Sequence, residues 1–401
     1  LVENPSALSR LVALCGASPW ITGQIRAQPI LLDSLLDPRQ LYHPPTAADL
    51  PEMLDAALAA ISPHDLERRM DGLRHFHHEQ TLRVAAADVS NSMPLMIVSD
   101  HLTALAETIV NAALRQAWWA LAQRHGEPRL ADGQTAPFLV IGYGKLGGLE
   151  LGYGSDLDLV FVHGGSDDAS TDGERSLSHS AFFLRLAQRL IHLLSTRTGA
   201  GRTFDVDTRL RPNGRSGLLV VGMAAFAHYQ REKAWTWEQQ ALVRARPVAG
   251  DEALAAEFTE LRAQILGRER GADELRTAVA DMRRRMRAEL DHGDRERFDL
   301  KQGRGALVDI EFLAQFAVLR WGHRCPELLI FSDTLRALET LESAQLLPYE
   351  QISMLTHAYR SYRRDIHAAA LQEAPRSAPR SRYRLERAAV IRAWRQLLLQ
   401  R

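Results

Sequence analysis

The sequence predicts an α+β protein, with a small mixed sheet near the middle of the chain and helical regions on its N- and C-terminal sides. Three observations carry that reading. Apolar residues recur at helical spacing before residue 126 and again beyond residue 251. Between these stretches, two short apolar runs at 138–141 and 157–161 bracket a glycine-rich turn. The expected divisions are a helical region over 1–130, a central core over 131–250 and a helical bundle over 251–401.

In the first region Leu8, Leu11, Val12 and Cys15 fall at helical spacing. A longer helix repeats apolar residues at Leu102, Leu105, Ile109, Ala113, Ala117 and Leu121, with Ser99 or Asp100 as the expected cap. His75, His77 and His78 face different directions on a helix and have no Cys or Asp to complete a coordination set, so they read as structural. A polar, Gly- and Pro-containing link at 124–137 leads into the core. A loop of small and acidic residues follows at 164–172, then a helix over 176–198 through Phe182, Leu186, Leu190 and Leu193. Segment 217–226 reads as a strand running into a helix. Trp235 and Trp237 read as core aromatics. Beyond 251, Arg283, Arg284, Arg285 and Arg287 read as a solvated helix face with flanking acids, and Asp309 and Glu311 as acids favoured at a helix start. After a link at 375–379, Leu385, Ala388, Ile391, Trp394 and Leu398 describe a last amphipathic helix.

Composition narrows the classes. With 401 residues, 46% of them hydrophobic, the chain can bury sizeable cores in two or three domains. Lys+Arg and Asp+Glu both total 49, so no global charge draws it to nucleic acid or an anionic membrane, and neither is expected as a partner. Cys15 and Cys325 are too few for a disulfide framework and point to a reducing compartment. No apolar run approaches the roughly 18 residues that span a bilayer, and no signal-peptide pattern opens the chain, so a cytoplasmic location is expected. The chain starts at Leu1 directly in helical pattern, as expected of a piece of a longer protein.

Two stretches carry chemistry. In the run beginning at Asp156, side chains alternate faces, so Asp156 and Asp158 project from one side while Leu157, Leu159 and Phe161 enter the core. Two carboxylates so close repel each other unless a cation lies between them, and a pair of hard oxygen donors suits Mg²⁺. Upstream, Gly142, Gly144, Gly147 and Gly148 allow backbone N–H groups to approach a phosphate. The second stretch is FDVDTRLRPNG at 204–214, where Phe204, Val206 and Leu210 alternate with Asp205, Asp207, Arg209 and Arg211. It reads as a strand with one apolar face and one charged face, ended by Pro212 and Gly214.

The wording GYGKLGGLELGYGSDLDLVF at 142–161 resembles the glutamine synthetase adenylyltransferase family, specifically its C-terminal, adenylylating half. That family lies within the polymerase-β-like nucleotidyltransferase superfamily. The likeness extends to ENPSALSRLVALCGASPWI, LRVAAADV, AWTWEQQALVRARPVAGD and KQGRGALVDIEFLAQFAVLRWG. It implies that the core is a polymerase-β-like nucleotidyltransferase domain. It also implies that Asp156, Asp158 and Asp207 are catalytic and hold Mg²⁺, two ions in all. Asp207 is then the third metal-ligating carboxylate and the candidate proton acceptor, with Asp205 behind it. Gly144, Lys145, Gly147, Gly148 and Ser155 would contact ATP, with Lys145 standing where the wider superfamily usually has Ser or Gly. Arg209 and Arg211 offer bidentate donors suited to a triphosphate. The implied reaction moves AMP from ATP to a tyrosine of glutamine synthetase, with the PII signalling protein and glutamine as effectors of the full-length enzyme. Two alternatives stand beside it. A deadenylylating half or another nucleotidyltransferase would read closer to ELNFSSD than to the ELGYGSD present here. A non-catalytic helical regulatory module would be expected to have lost its acids, which are intact.

Overall fold

The computed structural model describes residues 5–35, 41–166 and 168–399; Leu1, where the expectation of a longer protein begins, and Asp167 of the acidic loop lie outside them. The chain forms two compact units, Leu1–Phe226 with Pro247–Ala256, and Ala227–Arg246 with Glu257–Arg401. Among the described residues, no helix is long and apolar enough to cross a membrane.

The first unit opens with helices α1 (Pro5–Ala17), α2 (Pro19–Ala27), α3 (Leu50–Leu58), α4 (Leu66–Val89) and α5 (Leu95–His125). Asp65 caps α4 by accepting from the Arg68 N–H at 3.1 Å. The 31-residue α5 starts four residues before the expected cap, because Pro94 stands at its N-cap and loses no helical hydrogen bond there. Ser99 is consequently inside the helix and fully buried. Strand β1 (Phe138–Gly142), the single turn α6 (Gly144–Gly147) and strand β2 (Leu157–His163) form the centre. Helix α7 (His179–Ser195) covers the sheet with Phe182, Leu186, Leu190 and Leu193, all fully buried, and packs against α5. Its N-cap, Ser178, accepts from the Ala181 N–H at 3.2 Å.

The sheet is mixed, as expected. β1 and β2 pair antiparallel, with Gly142 opposite Leu159 and Phe138 opposite His163. β3 (Val206–Asp207) and β4 (Val220–Gly222) both pair parallel with β2, β3 beside its start and β4 beside its end. β5 (Arg246–Gly250) lies against the other edge of β1. The expected long strand over 204–211 is only two residues, because the chain leaves the sheet after Asp207 in turns and rejoins it at Val220.

The second unit is helical: α8 (Met223–Glu232, entering at Ala227), α9 (Thr236–Leu242), α10 (Glu252–Leu266, entering at Glu257), α11 (Ala272–Leu290), α12 (Leu307–Trp321), α13 (Thr334–Ser343), α14 (Tyr349–Leu371) and α15 (Arg384–Trp394). α12 is the central element, with Ile310, Ala317, Val318 and Leu319 all fully buried. The expected link near 375–379 instead forms β7 (Ser377–Pro379), antiparallel to β6 (Arg297–Asp299). Arg297 fastens this pair by donating from Nε to Ser377 Oγ at 2.8 Å and from Nη2 to the Ser377 carbonyl at 2.7 Å.

Candidate active site

β2 and β3 bring the three predicted carboxylates together. Parallel pairing sets Asp158 directly opposite Asp207, and Leu157 donates its N–H to the Asp205 carbonyl at 2.9 Å. Asp156 lies one residue before β2, on the Asp158 side of the alternation. One oxygen from each of Asp156, Asp158 and Asp207 lies within 4.8 Å of the others. Leu157, Leu159 and Phe161 are fully buried behind them, so the acids stand on an anchored strand. Asp205, by contrast, is exposed and ion-paired with Arg202.

The two arginines separate in role. Arg209 donates from Nε to both Asp207 oxygens, at 3.0 and 2.7 Å, and its backbone N–H reaches Oδ1 at 2.8 Å. That side-chain hydrogen bond, helped by the backbone donor and against partial burial, holds Asp207 below the ordinary carboxylate range. An acid so held stays ionised and is suited to binding a cation. Arg211 is turned inward: it donates to the Thr208 carbonyl at 2.8 Å and to the Gly217 carbonyl at 3.2 Å. The expected strand would have set both arginines on one face, but the chain turns at Thr208, so Arg211 braces its own loop.

Arg209→Ala should raise the Asp207 pKa, since its largest lowering interaction is lost. The carboxylate's contribution is present above its unfolded pKa and is lost as pH falls through its depressed folded value. The variant's acid limb of kcat/KM should therefore move to higher pH, with activity down roughly 10- to 100-fold if Arg209 also meets phosphate. A pH–rate profile checks this, and an unmoved acid limb would contradict the pairing.

The glycine stretch is a helical turn rather than an open loop. Gly147 donates its N–H to the Tyr143 carbonyl and Gly148 to the Gly144 carbonyl, both at 3.0 Å, and both glycines are buried. The expected phosphate donors at Gly147 and Gly148 are thus spent closing the turn. Lys145 and Ser155 do come together, with Nζ donating to Oγ at 3.2 Å, while Ser155 Oγ also accepts the Gly152 N–H at 3.1 Å. Gly144 is required twice over: its φ is +56°, and a Cβ there would lie 2.3 Å from Asp158 Oδ2. Gly144→Ala should cost about 1–2 kcal/mol in stability and, by displacing Asp158, roughly a hundredfold in activity. Gly154→Ala is the control, because φ there is +65° with nothing within 4 Å of the added Cβ. Equal activity in the two variants, measured at matched folded fraction, would deny Gly144 its place beside Asp158.

Sequence reasoning missed how α4 steadies the loops that carry these acids. Arg74, fully buried, donates from Nε to the Gly201 carbonyl at 2.9 Å and from Nη2 to the carbonyls of Leu193, at 3.3 Å, and Thr196. Asp71 accepts from Thr198 Oγ1 at 2.6 Å in the same loop. Further along the helix, Asp88 accepts from the Tyr153 hydroxyl at 2.9 Å, just before Ser155. Burial raises the Asp88 pKa, the Tyr153 hydrogen bond opposes it, and burial beside Asp88 raises Tyr153. The sequence offered little signal, because Asp71, Arg74 and Asp88 are three among many polar residues on this helix.

Other expectations resolve as follows. Burial pushes His77 down to about 3, so its ring is neutral, and it packs edge-on to Phe204 at 4.6 Å. Among the described residues, the acidic trio is the group that could hold a metal ion. In the second unit Trp235 and Trp237 are 71% and 36% exposed rather than buried. Glu238 explains this by turning inward to accept from the Trp235 N–H at 2.9 Å and the Tyr229 hydroxyl at 2.8 Å. The arginine run is not wholly solvated: Arg283 continues the buried stripe of Leu275 and Val279, is itself fully buried, and pairs with Asp309 at 2.7 Å. Glu311 pairs with Arg244 at 2.9 Å, so both acids of α12 serve as ion-pair partners.

Comparison with known proteins fits this geometry. Residues 8–261 match the family model described as Glutamate-ammonia ligase adenylyltransferase, and residues 273–374 match one described as GlnD PII-uridylyltransferase. The chain is 50% identical over 402 residues to the bifunctional glutamine synthetase adenylyltransferase/adenylyl-removing enzyme of Nitrosococcus oceani. It is 47% identical over 413 residues to the protein of that name from Pseudomonas syringae pv. tomato. Each match covers 99% of this chain and 42% of the relative, so the chain spans less than half the length of these relatives. With a family model matched over more than half its length and a mixed sheet presenting three clustered carboxylates, the chain belongs to the glutamate-ammonia ligase adenylyltransferase family.

Proposed function

We propose that this chain is the adenylylating half of such an enzyme, moving AMP from ATP to a tyrosine of glutamine synthetase with release of pyrophosphate. The observation that carries the reading is the Asp156, Asp158 and Asp207 cluster set against the Gly144 turn, with ELGYGSD as the wording that leads into it. Segment 131–250 would be the catalytic core, with 1–130 and 251–401 as its helical regions.

Three carboxylates without imidazole or thiolate form a hard-oxygen set that fits Mg²⁺, which favours carboxylate, water and phosphate oxygens. Asp156, Asp158 and Asp207 would hold two such ions, which when bound supply charge stabilisation at the phosphates and ease ionisation of the acceptor hydroxyl. A free tyrosine hydroxyl has a pKa near 10, so activation is needed at neutral pH. In the transfer the tyrosine hydroxyl gives up its proton to solvent and its oxygen bonds to the α-phosphorus as the bond to pyrophosphate breaks. Arg209 keeps Asp207 ionised for its ligand role. Gly144, Lys145 and Ser155 would stand at the triphosphate, and Arg211 would hold the loop that presents Arg209. The PII protein and glutamine would act as effectors of the full-length enzyme, in the cytoplasm.

The test is incubation with α-labelled ATP, Mg²⁺ and either folded glutamine synthetase or a short peptide bearing the acceptor tyrosine. Labelling of the folded protein with little on the peptide is expected, since a protein acceptor can dock over about 800 Å². Equal labelling of both would sink the docking argument. Removal of AMP from adenylylated glutamine synthetase, without addition, would identify the adenylyl-removing half instead.

A further inference from the structure

A cavity of about 350 Å³ lies wholly within the helical second unit and is lined by four arginines. Arg283 and Arg287 stand four residues apart on α11 and so share one face. Both reach the same oxygen of Asp309: Arg283 Nε at 2.7 Å and Arg287 Nη2 at 2.6 Å. The other Asp309 oxygen accepts the Gly305 N–H at 2.7 Å. One carboxylate, fully engaged, therefore faces two guanidinium groups. Arg283 satisfies its remaining donors on Gln302, at 3.0 Å to the side chain and 2.7 Å to the carbonyl. Arg287 does not, since its Nε is buried without a hydrogen-bond partner. Arg284 and Arg304 add positive charge at the exposed rim, and Arg284 is offset by Asp281. Ile391, Trp394 and Leu399 add apolar lining.

An excess of guanidinium over carboxylate in a concave, partly apolar cavity selects for a negative ligand of limited size. A convex basic stripe would suit a polyanion; this shape does not. Guanidinium groups bind carboxylate and phosphate through paired N–H donors, and the indole of Trp394 offers a surface for a short apolar body. We propose that this cavity is a binding site for a compact organic anion, a carboxylate or phosphate compound, separate from the carboxylate site of the first unit.

The test follows the fluorescence of Trp394, taken as the difference between the wild-type chain and Trp394→Phe, during titration with inorganic phosphate and, separately, with succinate. A saturable change with at least one probe is expected, and the probe that saturates at lower concentration names the anion type. Arg287→Gln should weaken that binding about tenfold or more, as loss of one charge-assisted donor does. Arg304→Gln, an exposed change that leaves the fold alone, should weaken it severalfold. Asp158→Asn should leave it unaltered, which separates this site from the acidic trio. No saturable Trp394-dependent change with either probe would overturn the proposal. So would a response of unchanged midpoint in both Arg287→Gln and Arg304→Gln.

Discussion

Asp158→Asn is expected to reduce AMP transfer by at least two to three decades while leaving helical content and thermal stability nearly unchanged. The substitution keeps the shape of the side chain and removes its charge, so backbone pairing of Leu157 and Asp158 with Val206 and Asp207 persists. What is lost is one of three clustered anionic oxygens. Losing such a ligand removes several kcal/mol of charge stabilisation at the transition state, and each 1.36 kcal/mol is tenfold in rate. Asp158 is held on two sides, since its carbonyl accepts the Tyr143 N–H at 2.9 Å and its Oδ2 abuts Gly144. Asp156→Asn should follow it closely. Asp207→Asn should add a second effect, the release of Arg209 from its bidentate partner. Kinetics with Mg²⁺ on purified protein, alongside circular dichroism, would decide. Wild-type turnover in Asp158→Asn would dismiss the assignment of the acidic cluster.

How far the sequence could be read depended on whether a feature was local. The alternation around Leu157 put Asp156 and Asp158 on one face because a strand's period is two, and no distant contact is needed to see it. The helices came from the same kind of evidence, and the long apolar series through Ile109 and Ala117 survives intact inside α5. Asp207 is different. Its place depends on β3 pairing with β2 across about fifty residues, so the family resemblance, and not the spacing, pointed to it. The glycines misled for a physical reason: the same composition serves an open loop and a tight helical turn, and only the bonds of Gly147 and Gly148 tell them apart. Charge was the least legible property. Arg283 and Arg285 look alike in sequence, yet one is fully buried against Asp309 and the other exposed, because a neighbouring helix faces only one of them.

Arg74 is the extreme of that last kind, and its replacement is expected to cost the most stability. A fully buried guanidinium has lost its hydration and keeps its place only if its donors are met. Burial accordingly lowers the Arg74 pKa, with Asp71 opposing. Of its acceptors, the Leu193 carbonyl belongs to the last turn of α7, and those of Thr196 and Gly201 to the loop that runs from α7 to β3. Arg74→Met would fill similar space and leave those carbonyls buried without their donor. At roughly 1–3 kcal/mol for each, offset by no longer burying a charge, the net loss should be about 3 kcal/mol. In a unit of this size that is a fall of roughly 6–12 °C in Tm. Arg74→Lys, which keeps the charge but not the fork, should fall between. Hydrogen exchange should quicken first at the Gly201 and Phe204 amides, whose bonds to the Thr198 and Leu194 carbonyls close this loop. Because the loop delivers Asp207 to the site, the lysine variant should also need more Mg²⁺ to reach half-maximal rate. An unchanged Tm in Arg74→Met would show that the loop holds its shape without the clamp.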